Sequence, residues 1–294
     1  PVISLGNSAG KMARRTIPAT DQEIGIVSLG NSRLFSDAGI AASNDDLGPD
    51  RDERARELIR LFLDMGGNLV DASFGSVENL AKILPTEDLQ QILFTTSPFN
   101  IFGEHIVNRD HVDKLISVLQ KKPLDMLQIR NARTSDTTKA YWPLLKEFKE
   151  EGLVRHIGTS GVGPNHSAVM EQVMEDGADF VHIDYAIFAT HAEERILPAA
   201  RDTGTAVFTN RPFSSGDYFQ KVAGKTLPSW AKEIDCETWA QFNLKWIVGN
   251  PAVTTVFMET TKAHRAVENL NAGIGRLPDK EMRDRMAKLI RSFS

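Results

Sequence analysis

His182 and Asp184 stand two residues apart in the segment DFVHIDY, and their types and spacing could do chemistry. On an extended strand both point to the same side, about 6.6 Å apart along the backbone. An imidazole with a carboxylate behind it is a proton-transfer base held in one tautomer. Ser160 closes the preceding strand-like segment VRHIGTS, so Ser160, His182 and Asp184 could also converge as hydroxyl, base and orienting carboxylate. Arg130, at the end of LDMLQIR, offers a cation for an anion or a developing oxyanion. Such groups suit elimination, isomerisation or hydrolysis. Two ligands fall short of a metal site and no third presents itself, so no metal is expected. Asp71 ends the apolar stretch NLVD; the aromatic residue three positions on is Phe74, which has no hydroxyl.

These residues need elements to hold them, and the chain supplies a regular alternation. Eight short apolar or β-branched runs read as strands, at 24–30, 68–71, 92–96, 124–130, 154–160, 179–185, 205–210 and 252–257. Helical patterns fall between and after them, near 52–65, 77–83, 109–121, 138–151, 164–175, 191–203, 234–248 and 261–271, with Gly66, Gly152, Gly177 and Gly204 as stops. Nearly all-apolar strands, each followed by a crossover helix, indicate a parallel sheet buried on both sides. Eight such pairs in about 250 residues is the arithmetic of a closed (β/α)8 TIM barrel. The expected organisation is a leader or tail at 1–13, then one barrel domain over 14–294, with an N-terminal hairpin near 14–23 and a C-terminal helix near 278–291.

In a barrel of this kind chemistry sits at the carboxyl ends of the strands. Those ends carry Asp71, Ser97, Arg130, Ser160, His182 with Asp184, and Asn210 with Arg211. His156 lies early in its strand and is expected to be structural, and Trp230, Trp239 and Trp246 are expected to pack first and to serve as a substrate wall second. With 39 acidic against 34 basic side chains and a net charge of −5, no basic face for nucleic acid is indicated, and a small-molecule substrate is the expected partner. No apolar run reaches the roughly 18 residues of a membrane span. Cys236 stands alone, which excludes an internal disulfide. The pair Arg14-Arg15 is followed by TIPATDQE, not by an apolar segment, and reads as part of the folded chain. The expected compartment is the cytoplasm, with the periplasm as the alternative.

The blocks LVDAS followed by FG, LDMLQIRN, LKEFKEEGLVRHIGTS, FVHIDYAIFATHAEERILPAARDTGTAVFTNRPFSSG and TTKAHRAVENL resemble, in order and spacing, the signatures of the aldo-keto reductases, over residues 14 to 290 or so. LPSWAKEIDCETWAQFNLKWIVGNPAV is similar to a bacterial branch of that family. The resemblance implies a nicotinamide-dependent carbonyl reductase built on an Asp, a proton-giving Tyr, a Lys that lowers the tyrosine pKa and a His that orients the carbonyl. Only the Asp carries over, as Asp71. The tyrosine falls on Phe74, the lysine on Ser97 and the histidine on Arg130, which becomes the candidate counter-ion of Asp71.

For the cofactor, NADP(H), the resemblance places Thr261, Lys262, Arg265, Glu268 and Asn269 at the adenosine end. Ser160 lies near the nicotinamide amide, and Asn210, Arg211 and Ser214 fall in the block between. Gly161, His182 and Glu259 depart from the family pattern, and Glu259 sets a carboxylate beside a polyanion. The resulting expectation is a repurposed enzyme with acid–base chemistry of lyase, isomerase or hydrolase type on a small polar or carbonyl compound. Two alternatives stay open: an NADP(H)-dependent oxidoreductase with an atypical proton donor, and a catalytically inactive binding or regulatory protein.

Overall fold

In the computed structural model, which describes residues 10–18, 20–30, 34–35, 50–97, 108–129, 135–161, 163 and 167–293, eight parallel strands close into a barrel. They are β3 (Val27–Leu29), β4 (Leu69–Ser73), β5 (Leu93–Ser97), β6 (Leu124–Ile129), β7 (Val154–Gly161), β8 (Phe180–Asp184), β9 (Ala206–Asn210) and β10 (Thr255–Met258), with β10 closing on β3. A short antiparallel hairpin, β1 (Arg14–Thr16) and β2 (Glu23–Gly25), precedes them. The helices are α1 (Arg51–Asp64), α2 (Phe74–Ile83), α3 (Thr86–Gln91), α4 (Arg109–Leu119), α5 (Ser135–Glu150), α6 (Ser167–Glu175), α7 (Ile196–Thr203), α8 (Asp217–Val222), α9 (Trp239–Val248), α10 (Ala263–Leu270) and α11 (Lys280–Ser292).

Period-two alternation divides each strand between two cores. Val70, Leu127, Val181, Val207 and Val256 face the helical layer and belong to the larger cluster. Leu69, Met126, Phe180, Ala206, Phe208 and Phe257 fill the barrel, and Ile17 and Ile24 of the hairpin close its lower end. Burial on both sides is why the strands read as continuous apolar runs. Gly158 shows how tightly the interior is filled: a Cβ there would lie 2.4 Å from the carbonyl oxygen of Phe180. The Phe180 ring stacks on Phe208 with centroids 4.9 Å apart.

Several boundaries differ from expectation for local reasons. β4 continues two residues past Asp71, and α2 starts at Phe74 without a turn, with Ser73 Oγ 2.9 Å from Ser76 Oγ at its start. The helix expected over 191–203 divides into a single turn, His191–Glu193, and α7. The one expected from 234 begins at Trp239, because the Thr238 side chain caps it by accepting from the Gln241 amide. α10 starts at Ala263 with Lys262 as its N-cap, so Thr261 lies just outside the helix. Within the expected leader, residues 1–9 lie outside the described residues. Met12 is buried and its amide donates to Met65 O at 3.1 Å.

Candidate functional site

The carboxyl ends of the strands surround a cavity of about 530 Å3. Its floor is set by inward-pointing residues one layer above the apolar plug. Asp71, from β4, is buried and accepts from Gln128 Nε2 of β6 at 3.1 Å. Ser160 of β7 and His182 of β8 are register partners and line the same cavity, so they are neighbours on the inner face. The His182 ring packs against Phe257 with centroids 4.8 Å apart. Asn210 and Arg211 form the rim where β9 ends.

Asp184 does not join His182. Its Oδ1 accepts from the Gly163 amide at 2.6 Å and lies 3.4 Å from Nε2 of His191. At the last position of β8 the carboxylate turns to the Gly163 amide and the His191 ring, which the loops after β7 and β8 bring to it, whereas His182, one layer deeper, is held by the barrel wall. The predicted His182–Asp184 couple, and with it the serine triad, is therefore replaced by an Asp184–His191 pair beside the mouth. Arg130 lies outside the described residues, as does the side chain of Ser97, whose backbone ends β5 opposite Ser73. The partner of Asp71 seen here is Gln128. Its signal was available, since it lies two residues before Arg130 and therefore on the inward side of the strand.

Beyond β9 the chain takes left-handed backbone angles at Arg211, Ser214, Ser215 and Gly216. Such angles are costly for non-glycine residues, by about 1–3 kcal/mol each, and cluster where a loop shapes a site. Ser215 and Gly216 line the cavity, and Arg211 NH2 donates to Ser215 Oγ at 3.0 Å. Ser214, the expected ligand residue, turns its amide back to Arg211 O at 3.0 Å and is not part of the lining.

A second hollow of about 670 Å3 adjoins the first. Thr261, Lys262, Arg265, Glu268 and Asn269 all line it, as the sequence suggested. Phe213, Phe219 and Glu259 border both hollows, so the two form one groove with a waist. Phe219 is a large apolar side chain left 44% exposed, 4.7 Å from Phe213 between ring centroids. Lys262 and Arg265 put two cations at the far end.

The chain has three tyrosines, and none lines the groove. Tyr185 is buried against Glu193, Asn250 and Arg283 under the barrel's outer helices, and Tyr218 donates to Trp239 O at 2.9 Å. Burial pushes both phenols well up from their ordinary value. Tyr141 belongs to α5. Trp246 and Trp239 pack and donate to the backbone carbonyls of Arg283 and Lys225, as expected of structural tryptophans. Among the described residues no cluster of three metal-ligating side chains occurs, and no helix is long and apolar enough to cross a membrane.

Residues 38–290 match the family model of the aldo/keto reductase family. The chain belongs to the aldo/keto reductase family. Its barrel superposes on an aldo-keto reductase, AKR11C1 from Bacillus halodurans in its holo form, with a TM-score of 0.70 and 20% identity, over 95% of this chain and 96% of that one. In sequence it is similar to the uncharacterized oxidoreductase YqkF of Bacillus subtilis, at 21% identity over 60% of this chain. It is also similar to the NADH-specific methylglyoxal reductase of Escherichia coli, at 24% over 41%. These matches span 63% and 38% of the lengths of those two relatives. As a member of the aldo/keto reductase family the chain belongs to an enzyme family, and its groove runs over the end of the barrel where that fold carries chemistry.

Proposed function

We propose that the protein is an oxidoreductase of small carbonyl compounds that takes a nicotinamide dinucleotide, NADP(H) first among them, along the two-part groove and handles the proton through His182. The observation that carries this reading is the continuity of the groove through Phe213, Phe219 and Glu259, which joins the polar floor at Asp71, Ser160 and His182 to the cations Lys262 and Arg265. The residues fit such a ligand at both ends: Lys262 and Arg265 suit a phosphate, while Ser160 and Asn210 offer partners for a carboxamide. Glu259, at the waist, opposes its charge, as do the carboxylates of Glu268 and Asp71 at the two ends.

When bound, the dinucleotide supplies a hydride to the carbonyl carbon. The chain's own residues do the rest. His182, protonated, gives its N–H proton to the carbonyl oxygen and regains it from solvent. Asp71, tethered by Gln128, stays an acceptor for substrate hydroxyl or amide groups. Ser160 orients the planar ring beside them.

A second reading keeps the same floor without hydride transfer, with His182 as base and Arg130 as oxyanion partner. It is favoured by the position of all three tyrosines away from the groove. Fluorescence titration with NADPH and NADH, followed by assay on methylglyoxal and small aldehydes, separates the two. The expected result is saturable dinucleotide binding with turnover below the roughly 10 s−1 typical of enzymes. His182→Asn should lower kcat by about 10²-fold and leave dinucleotide affinity unchanged. Absence of dinucleotide binding would sink the first reading, and isomerisation or elimination without dinucleotide would establish the second.

A further inference from the structure

The opposite end of the barrel holds a cavity that the reaction does not use. It has about 480 Å3 and lies between the β1–β2 turn, the end of α5 and the starts of β7 and β8. That is many times the share of one water molecule in the liquid, about 30 Å3. Its walls carry Asp21 and Gln22 from the hairpin, Lys149 from α5, Arg155 and His156 from β7, and Asp179 just before β8.

His156 is only 3% exposed, and neither ring nitrogen has a hydrogen-bond partner among the described residues. A buried polar group left without a partner costs about 1–3 kcal/mol. The obvious partner is already engaged. Asp179 accepts from Lys149 Nζ at 2.7 and 2.6 Å on its two oxygens and from the Ile157 amide at 2.8 Å, and its nearest approach to His156 Nδ1 is 4.0 Å, too long for a hydrogen bond. Burial alone would push the Asp179 carboxyl up, yet the neighbouring imidazole of His156, Lys149 and the Ile157 amide together hold it below its ordinary value. Among the described residues Arg155 donates to the neutral Gln22 side chain at 3.2 Å, and it is exposed on the cavity rim.

We propose that this cavity is a second binding site, at the closed end of the barrel, for a small oxyanion taken up together with a proton on His156. With a neutral imidazole the two cations and two carboxylates of the wall balance, so an anion entering alone would have no net attraction. Protonation makes the ring a donor at both nitrogens and leaves one positive charge for the anion to neutralise. Arg155 then supplies a planar fork at the rim. Binding is accordingly coupled to pH, and affinity falls as the solution becomes more alkaline.

The test follows the imidazole resonances of His156 in the intact protein while acetate or sulfate, neither of which titrates near neutrality, is added at pH 6 and pH 8. Both anions should shift His156 saturably at pH 6 and weakly at pH 8. Calorimetry at pH 8 in two buffers of different ionisation enthalpy should register uptake of up to one proton per site. Arg155→Gln, an exposed and fold-neutral change, should weaken the shift several-fold, and His156→Gln should abolish the pH dependence. A linear, unsaturable response, an affinity equal at the two pH values, or an affinity unchanged in Arg155→Gln would each overturn the proposal. None of these readouts depends on dinucleotide binding or turnover.

Discussion

Replacing Glu259 by glutamine should tighten dinucleotide binding, and the structure sets the size of the effect. Glu259 directly follows β10, is exposed, and borders both parts of the groove. Its stem occupies the space that the missing side chain of Gly30 leaves open, since a Cβ on Gly30 would lie 2.7 Å from Glu259 Cγ. The carboxylate thus stands on the rim at the waist, where the diphosphate of a dinucleotide spanning the groove must cross. Two unit charges 4 Å apart repel by about 1 kcal/mol in water and about 4 kcal/mol at an effective dielectric constant of 20. Exposure puts Glu259 near the first limit, so one or two phosphate contacts amount to about 1–2 kcal/mol. That is a gain of about 5- to 30-fold in Kd for Glu259→Gln. Because exposed charges are screened over about 8 Å at physiological ionic strength, the gap between wild type and variant should narrow as salt is added. NADPH fluorescence titrations of both proteins at low and high salt measure it directly. Unchanged affinity would place the diphosphate elsewhere. Weaker binding in the variant would mean that Glu259 accepts from ligand hydroxyls, and the repulsion argument would be wrong.

Two further outcomes follow from packing. Tyr185→Phe removes an acceptor of Asn250 Nδ2 at 3.1 Å and of Arg283 NH2 at 2.6 Å, while Arg283 keeps Glu193 at 3.1 Å. The loss should be about 1–3 kcal/mol, seen as a Tm lowered by a few degrees with dinucleotide affinity unchanged; an unaltered Tm would show that the phenol hydroxyl contributes nothing there. Gly158→Ala should be more damaging than a surface glycine substitution, because its Cβ meets the Phe180 backbone at 2.4 Å and ring at 2.7 Å. A destabilisation of about 1–3 kcal/mol in denaturant unfolding is expected, and wild-type stability would refute the tight interior described above.

The barrel is legible in the sequence because burial on both faces of a parallel sheet writes itself as continuous apolar runs, and because the crossover helices end on residues that need left-handed angles. Gly66, Gly152, Gly177 and Gly204, read as helix stops, have φ of 91°, 69°, 90° and 72°. Period two also suffices to bring Ser160 and His182 to one face, and the order of the blocks suffices to bring Lys262, Arg265 and Asn269 to one hollow. The first depends on side-chain phase along two neighbouring strands paired in register, the second on side-chain direction along one helix and its N-cap.

What the same alternation could not decide is where a side chain goes once its strand has ended or which distant group meets it. Asp184 shares the phase of His182, yet as the last residue of β8 it is directed by the Gly163 amide and His191, which loops bring to it. Gln128 finds Asp71 from 57 positions away, a contact set by how β4 and β6 curve around the barrel. The joining of two hollows at Phe213, Phe219 and Glu259, and the His156 ring that finds no hydrogen-bond partner among the described residues, depend on the stagger of all eight strands at once. Composition and spacing along one chain therefore determined the fold and the layer of each candidate residue, while the pairing of charges and donors was decided by closure of the barrel, because that geometry belongs to no single segment.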